Sequence, residues 1–281
     1  MASKEGKVYT LSAKKDDYYI ECFDQNNYNK IFSTKLEIPR IVNKKQEIEE
    51  IIFQGNQFVI FTSYYERTDK KFHLNAYRIN MQGVINPKPT ELIKLEAEGK
   101  NDIGRIFFRF SPDSASILIT HLFTSPQTKQ NHLEFFILDQ SLNVLSQADN
   151  IIENKTGDAY IILLDCYINN NKEIFLPELQ LTTPTETRDT KLRYSIIKYS
   201  SDGKEVNRFP VDLETRKIIS LTVQFHSNGD LMLYGHYQSN PAKKDYYNTT
   251  YNGTFFMLLN AQSGEVKSVS LHDFELELFN N

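Results

Sequence analysis

The sequence predicts an all-β chain built from repeated four-stranded antiparallel sheets, and three features predict it. Aromatic residues at Phe53, Phe110, Tyr167 and Phe225 close apolar runs at spacings of 57, 57 and 58 residues. Each is followed by a polar turn (QGNQ, SPDSAS, INNNKE, HSNGD) and a second apolar run beginning near Phe58, Ile117, Ile174 and Leu231. A second set of landmarks, the turn residues Asn27, Gly83, Asn143, Gly203 and Gly264, recurs at 56, 60, 60 and 61 residues. A fixed period of this length in a strand-rich chain marks similar units that bury their faces by stacking on one another.

Taken in order, the first repeat supplies three strands, KVYTLSA, YYIECFD and NKIFSTKLEI, and Pro39 ends the last. Its turn, Gln25-Asn26-Asn27, suits a hairpin because Asn tolerates the left-handed region. Residues 40–46 form a polar connector. Four strands follow in each later repeat. The second reads IEEIIF, FVIFTSYY, FHLNAYRI and TELIKLEA; the third, RIFFRF, SILITHLF, LEFFILD and VLSQADNI. The fourth reads YIILLDCY, EIFLPEL, LRYSIIKY and EVNRFPVDL; the fifth, ISLTVQF, DLMLYGHY, GTFFMLLN and EVKSVSL. Alternating apolar and polar residues, bounded by Gly, Asn, Asp and Ser, give each segment its strand character.

The first repeat lacks an opening strand, while 274–279 (FELELF) is left over at the other end. Ring closure is the simplest reading: the last strand becomes the innermost strand beside Lys7–Ala13, which removes exposed sheet edges. The expected fold is therefore a five-bladed β-propeller, a single domain over 7–281, with residues 1–6 a disordered start. The rival reading is a fragment of a longer propeller.

With 281 residues and 40% hydrophobic content, the chain can bury a substantial core. Its 16 Tyr and 19 Phe, with no Trp, lean towards β. A net charge of −4 is too mild to predict nucleic acid as partner. No apolar run is long enough for a transmembrane helix. Cys22 and Cys166 fall in repeats that are not neighbours and are expected as free thiols. The opening MASKEG has neither the cationic start nor the apolar stretch of an export signal. It also fits a start placed on a trimmed chain, and this reading favours an extracytoplasmic over a cytoplasmic location. A monomer without cofactor or metal is expected.

The stretch Phe110-Ser111-Pro112-Asp113, continued by Ser116-Ile117-Leu118, resembles the WD-like repeats of TolB-type propellers, whose turn reads F-S-P-D-G. Phe225-His226-Ser227-Asn228-Gly229 matches loosely, and the second and fourth repeats depart from the pattern. The resemblance implies a propeller and a binding platform. It carries over no catalytic residue, because that turn is structural in the family.

Function is expected in two places. The connections from second to third strand (13–17, 64–71, 123–131, 180–191 and 237–253) vary in length and hold ten basic against seven acidic residues. Candidate binding residues there are Arg67, Lys70, Arg188, Lys191, Lys243 and Lys244, with Tyr237, Tyr246, Tyr247 and Tyr251 of the longest loop. Tyr and Asn together give rigid contact area and hydrogen bonding, as in paratopes and sugar sites. A protein or glycan is the expected partner. The same polar loops also serve simple solvation and discourage aggregation. First strands should line a channel that carries Glu50, Arg109, Asp165, Gln224 and Glu277. Converging carboxylates there would suit glycoside hydrolysis, whereas charges of both signs would simply pair with water and each other. The six histidines show no short-spaced pair on one strand face, so no metal site is expected.

Overall fold

The computed structural model describes residues 2–274 except 16, 42–44, 55–56, 98, 100–103, 126, 153–154, 157–158, 164, 183–190 and 240–250. Among them there is no helix, and the chain forms five antiparallel sheets. They divide between two compact units, Met1–Gly104 and Arg105–Asn281.

In the first unit, one sheet runs β1 (Ala2–Lys4), β2 (Lys7–Lys14), β3 (Asp17–Asp24), β4 (Lys30–Lys35) in spatial order. The next runs β5 (Glu47–Gln54), β6 (Gln57–Glu66), β7 (Lys71–Ile79), β8 (Thr90–Glu96). Tyr9, Ile20, Cys22 and Leu36 of the first pack on Phe58, Ile60, Tyr77 and Ile79 of the second, so the two sheets stack face to face. The Tyr9 ring lies 6.2 Å from Phe53 and 5.6 Å from Phe58, which aligns the turn ends of the two sheets.

The second unit holds three sheets. The third sheet pairs β9 (Arg105–Phe110), β10 (Ser116–Thr124), β11 (Asn131–Asp139) and β12 (Val144–Ile152) in order. The fourth combines β13 (Lys155–Thr156), β14 (Ala159–Leu163), β15 (Tyr167–Ile168), β16 (Ile174–Thr182), β17 (Lys191–Tyr199) and β18 (Glu205–Val211). The fifth is β19 (Lys217–Phe225), β20 (Leu231–Gln238), β21 (Gly253–Leu259), β22 (Val266–Asp273). Leu118, Leu133 and Phe135 of the third sheet pack on Ile168, Ile174 and Leu176 of the fourth. The other face of the fourth, through Phe175, Tyr194 and Phe209, meets Val223, Leu233 and Phe255 of the fifth.

One contact recurs between stacked sheets. In the second, fourth and fifth sheets the glycine of the third-to-fourth turn approaches the fourth strand of the preceding sheet so closely that a Cβ would clash. A Cβ on Gly83 would lie 2.8 Å from Thr34 Cβ, and one on Gly264 would lie 2.7 Å from Phe209 Cγ. Gly203 meets Ala148 in the same way. All three glycines are left-handed, at φ 83, 73 and 80 for Gly83, Gly264 and Gly203, so both conformation and space select glycine.

Several expectations need correction. Ala2–Lys4 is not an unpaired start: it pairs with Lys7–Tyr9 of β2, because Glu5 and Gly6 at φ 50 and 73 make a tight turn. The N-terminal sheet thus has four strands of its own along that edge, where 274–279 was expected; residues 275–281 lie outside the described residues. The left-handed turn residues in the first and third sheets are Tyr28 (φ 56) and Leu142 (φ 70), each next to the Asn expected there. Leu142 is buried, so its apolar side chain offsets the strained backbone. The opening strand of the fourth sheet is broken between β14 and β15, opposite Pro177 of β16. Pro177 has no N–H to give to a neighbour, and across the break the register changes by one residue, from Leu163↔Glu178 to Tyr167↔Phe175. The break shifts the closing pair to Ile168↔Ile174, one residue beyond Tyr167. Cys22 and Cys166 are buried free thiols.

Candidate functional site

Each sheet has a constant end and a variable end. At the constant end the first-to-second turns of the third, fourth and fifth sheets reuse one pattern of hydrogen bonds. Ser111 N donates to Ser116 O, Asn169 N to Glu173 O and His226 N to Asp230 O, at 3.0, 3.0 and 2.8 Å. The residue three places on, Ser114, Lys172 or Gly229, is left-handed and donates back to the first, at 2.8, 3.0 and 2.8 Å. Side chains lock these turns: Ser111 Oγ accepts from Ser116 N, and Asn169 Oδ1 from Asn171 N and Glu173 N. Third-to-fourth turns repeat the device with Asp24, Asn80 and Asn260 as acceptors.

At the other end, the second-to-third connections run from 15–16, 67–70 and 125–130 to 183–190 and 239–252. They lengthen through 2, 4, 6, 8 and 14 residues. This end carries the sequence-predicted rim. Arg67 is exposed at the tip of a tight turn. Glu66 Oε1 accepts from Thr68 N and Oγ1, Asp69 Oδ1 accepts from Lys71 N, and Lys70 O accepts from Ala97 N. Lys70 is exposed and left-handed. In the third sheet, Ser125 and Lys129 close the equivalent turn, with Lys129 N donating to Ser125 O at 2.9 Å.

Tyr237 is not a rim residue. It lies on β20 with no exposed surface, inside the core between the fourth and fifth sheets. Strand alternation carries it to the core face alongside Leu233, and its hydroxyl donates to Asp273 at 2.6 Å. Gly253 stands opposite it in the ladder and leaves room for the ring. Tyr251 is 45% exposed and meets the His236 ring edge-on at 5.0 Å. Lys191 opens β17 opposite Thr182. Tyr246, Tyr247, Lys243, Lys244, Arg188 and Glu277 lie outside the described residues.

Of the channel candidates, the structure brings Arg109 and Asp165 together as an ion pair. Arg109 also donates to Phe108 O and lies 6.0 Å from the centre of the Tyr167 ring. Asp165 lies in the gap between β14 and β15, outside the ladder, while Tyr167 is paired with Phe175. One Asp165 oxygen, Oδ1, is buried without a hydrogen-bond partner. Behind the pair, burial pushes the Cys166 thiol up to about 12, so it is an inert core thiol. Burial also raises Tyr167. Glu50 is exposed and accepts from Ile51 N, and Gln224 is exposed on β19.

Sequence reasoning missed the pairing of the histidines. His73 bonds Glu91 at 2.8 Å and stacks on Tyr64, while His121 bonds Glu134 at 2.7 Å. His132 bonds Asp149 at 3.0 Å, and Phe123 stacks between His121 and His132. These partners sit on neighbouring strands, so only the register reveals them. No group of three or more metal-ligating side chains occurs among the described residues. No helix among them is long and apolar enough to cross a membrane.

No protein-family model matches the chain, and no curated protein matches it. Among solved structures, an acylaminoacyl peptidase bound to a chloromethyl ketone is similar at a TM-score of 0.45 and 9% identity, over 81% of this chain and 33% of that one. An ACO/RPE65 chimera is similar at 0.45 and 9%, over 94% and 59%. A Synechocystis apocarotenoid oxygenase variant, Glu150Asp, is similar at 0.44 and 11%, over 95% and 66%. The chain therefore spans a third to two thirds of the length of these proteins.

Proposed function

We propose that the five sheets are the blades of a β-propeller and that the chain is a non-enzymatic binding or scaffold module, presenting its variable loop end to a protein partner. The observation that carries this reading is the contrast between the two ends of the sheets. One set of turns repeats a locked geometry in the third, fourth and fifth sheets, while the other differs in length and sequence in every sheet. Rigid scaffolds that recognise partners place variable loops on a constant frame. Face-to-face stacking within each unit and the TolB-like turn at Phe110–Asp113 support the propeller.

The test is site-specific photocross-linking of the intact chain in lysate of its source cells. A benzophenone amino acid replaces Arg67 or Lys129 at the variable end, or Gln82 or Ser227 at the constant end. Discrete adducts from the first pair alone are expected. Adducts from the second pair alone, or from neither, would overturn the proposal. Binding on a glycan array without turnover of chromogenic glycosides would move the reading to a lectin.

A further inference from the structure

Among the described residues, the fifth sheet is well covered on one face only. In the second, third and fourth sheets the inner strands are buried on both faces, in unbroken runs such as Phe58–Ser63, Ser116–His121 and Ile174–Glu178. In the fifth sheet burial alternates along β20 and β21. Leu233, Phe255 and Met257 are buried against the fourth sheet, while Met232, Tyr234 and Leu258 are half-buried and Phe256 is 40% exposed. LMLYGHY and GTFFMLL are nonetheless mostly apolar runs, the sequence type of strands covered on both sides.

Strand register arranges the other face in rows. Gln224, Met232, Leu258 and Ser268 form one cross-strand row, and Thr222, Tyr234, Phe256 and Ser270 the next. Each row reads polar, apolar, apolar, polar, and neither holds an Asp, Glu, Lys or Arg. An apolar centre with Met, Tyr and Phe, free of charge and edged by polar side chains, is the composition of a protein interface. The order is the same from either side, so two such faces laid together set apolar on apolar and polar on polar. The first sheet offers no such match. Its face turned away from the second sheet carries Glu21, bonded by Lys30 at 2.8 Å and Ser33 at 3.2 Å, and Asp17, paired with Lys35 at 2.8 Å. Burying those ion pairs against apolar side chains would carry a desolvation cost.

We infer that this face of the fifth sheet is the contact between two copies of the chain, related by a two-fold axis. Four strands about 4.8 Å apart and about six residues long present roughly 20 by 20 Å, or ~400 Å² per copy before side-chain relief is counted. That is small for a specific interface, so the dimer is concentration-dependent rather than obligate. It needs nothing from the variable end. It departs from the monomer expected from the sequence, in which strand register is not visible.

Sedimentation velocity of the intact chain from about 1 to 300 μM should show monomer converting to dimer as concentration rises. Phe256→Glu should weaken dimerisation at least about tenfold, because its carboxylate would be buried without a partner. Ser270→Arg also puts a charge into the uncharged face and should weaken dimerisation by a similar factor. Ser270 is exposed, so this variant should keep its unfolding midpoint at the lowest concentration. Val206→Glu adds a charge at an exposed apolar site on β18 instead and should leave dimerisation unchanged. A chain that stays monomeric at the highest concentration would overturn the inference. A lowered midpoint in Phe256→Glu would then show the face covered within the chain, and an unchanged one a face left to a different partner or to solvent. Undiminished dimerisation in either face variant, or an equal loss in Val206→Glu, would overturn it as well.

Discussion

Gly253 is where the fifth sheet has no room for a side chain. A Cβ there would lie 2.6 Å from Tyr237 Oη and nearer still to the His272 carbonyl. Gly253→Ala should therefore cost about 1–3 kcal/mol, the usual range for overpacking. A denaturant titration with an unchanged midpoint would contradict the buried placement of Tyr237. A second residue-level test concerns Lys198, buried at 3% exposure, with Glu173 at 2.7 Å and Gln262 at 2.6 Å. Burial alone would raise the Glu173 carboxyl, but hydrogen bonds from Lys198, Asn169 and Gln262 outweigh it and hold the carboxyl below its ordinary value. A depressed folded value gives stability that is present above the unfolded carboxyl's value, roughly pH 4.3, and lost as pH falls through the folded one. Lys198→Ala should cost about 3 kcal/mol at neutral pH and should flatten this acid-limb dependence. Equal acid-limb slopes in the two proteins would show that the pair is not linked to folding. Tyr237 was misplaced because strand ends are hard to locate, and the strand runs one residue further, to Gln238.

Among the elements, the turns were the most legible, because their residue types follow from local backbone chemistry. Ser111 shows the mechanism: its hydroxyl donates to Asp113 at 2.6 Å and accepts from Ser116 N at 2.9 Å. Ser111→Ala leaves that buried N–H with one acceptor fewer and should destabilise by about 1 kcal/mol, measured as a shifted unfolding midpoint. No shift would mean that the turn is held by its backbone bonds alone. The break between β14 and β15 was not legible. YIILLDCY alternates well enough to be one strand, and the one-residue register shift opposite Pro177 shows only in the ladder. Tyr28 and Leu142 were missed for the opposite reason: preference pointed to the adjacent Asn, while turn length and the burial of Leu142 selected otherwise.

At the scale of the whole molecule, periodicity made the five-sheet plan readable, and its four-strand content was right in outline. Closure was argued from a missing strand, but Ala2–Lys4 supplies that strand at Lys7–Tyr9, and its three residues are too short to show period-2 patterning. The rim was recognised by its basic loops, whereas the left-handed turn at Lys70 required coordinates. The central claim is that the chain repeats one four-stranded plan five times, with a locked end and a variable end. Residue-resolved hydrogen exchange of the intact chain tests it most directly. The claim predicts protected amides in the second and third strands of all five sheets, together with comparable protection at the turn donors Ser114, Leu142, Lys172, Gly203, Gly229 and Gly264, each of which bonds a turn carbonyl. Exchange at the unfolded rate across any one of the five sheets, or turn donors that show no common level of protection, would contradict it.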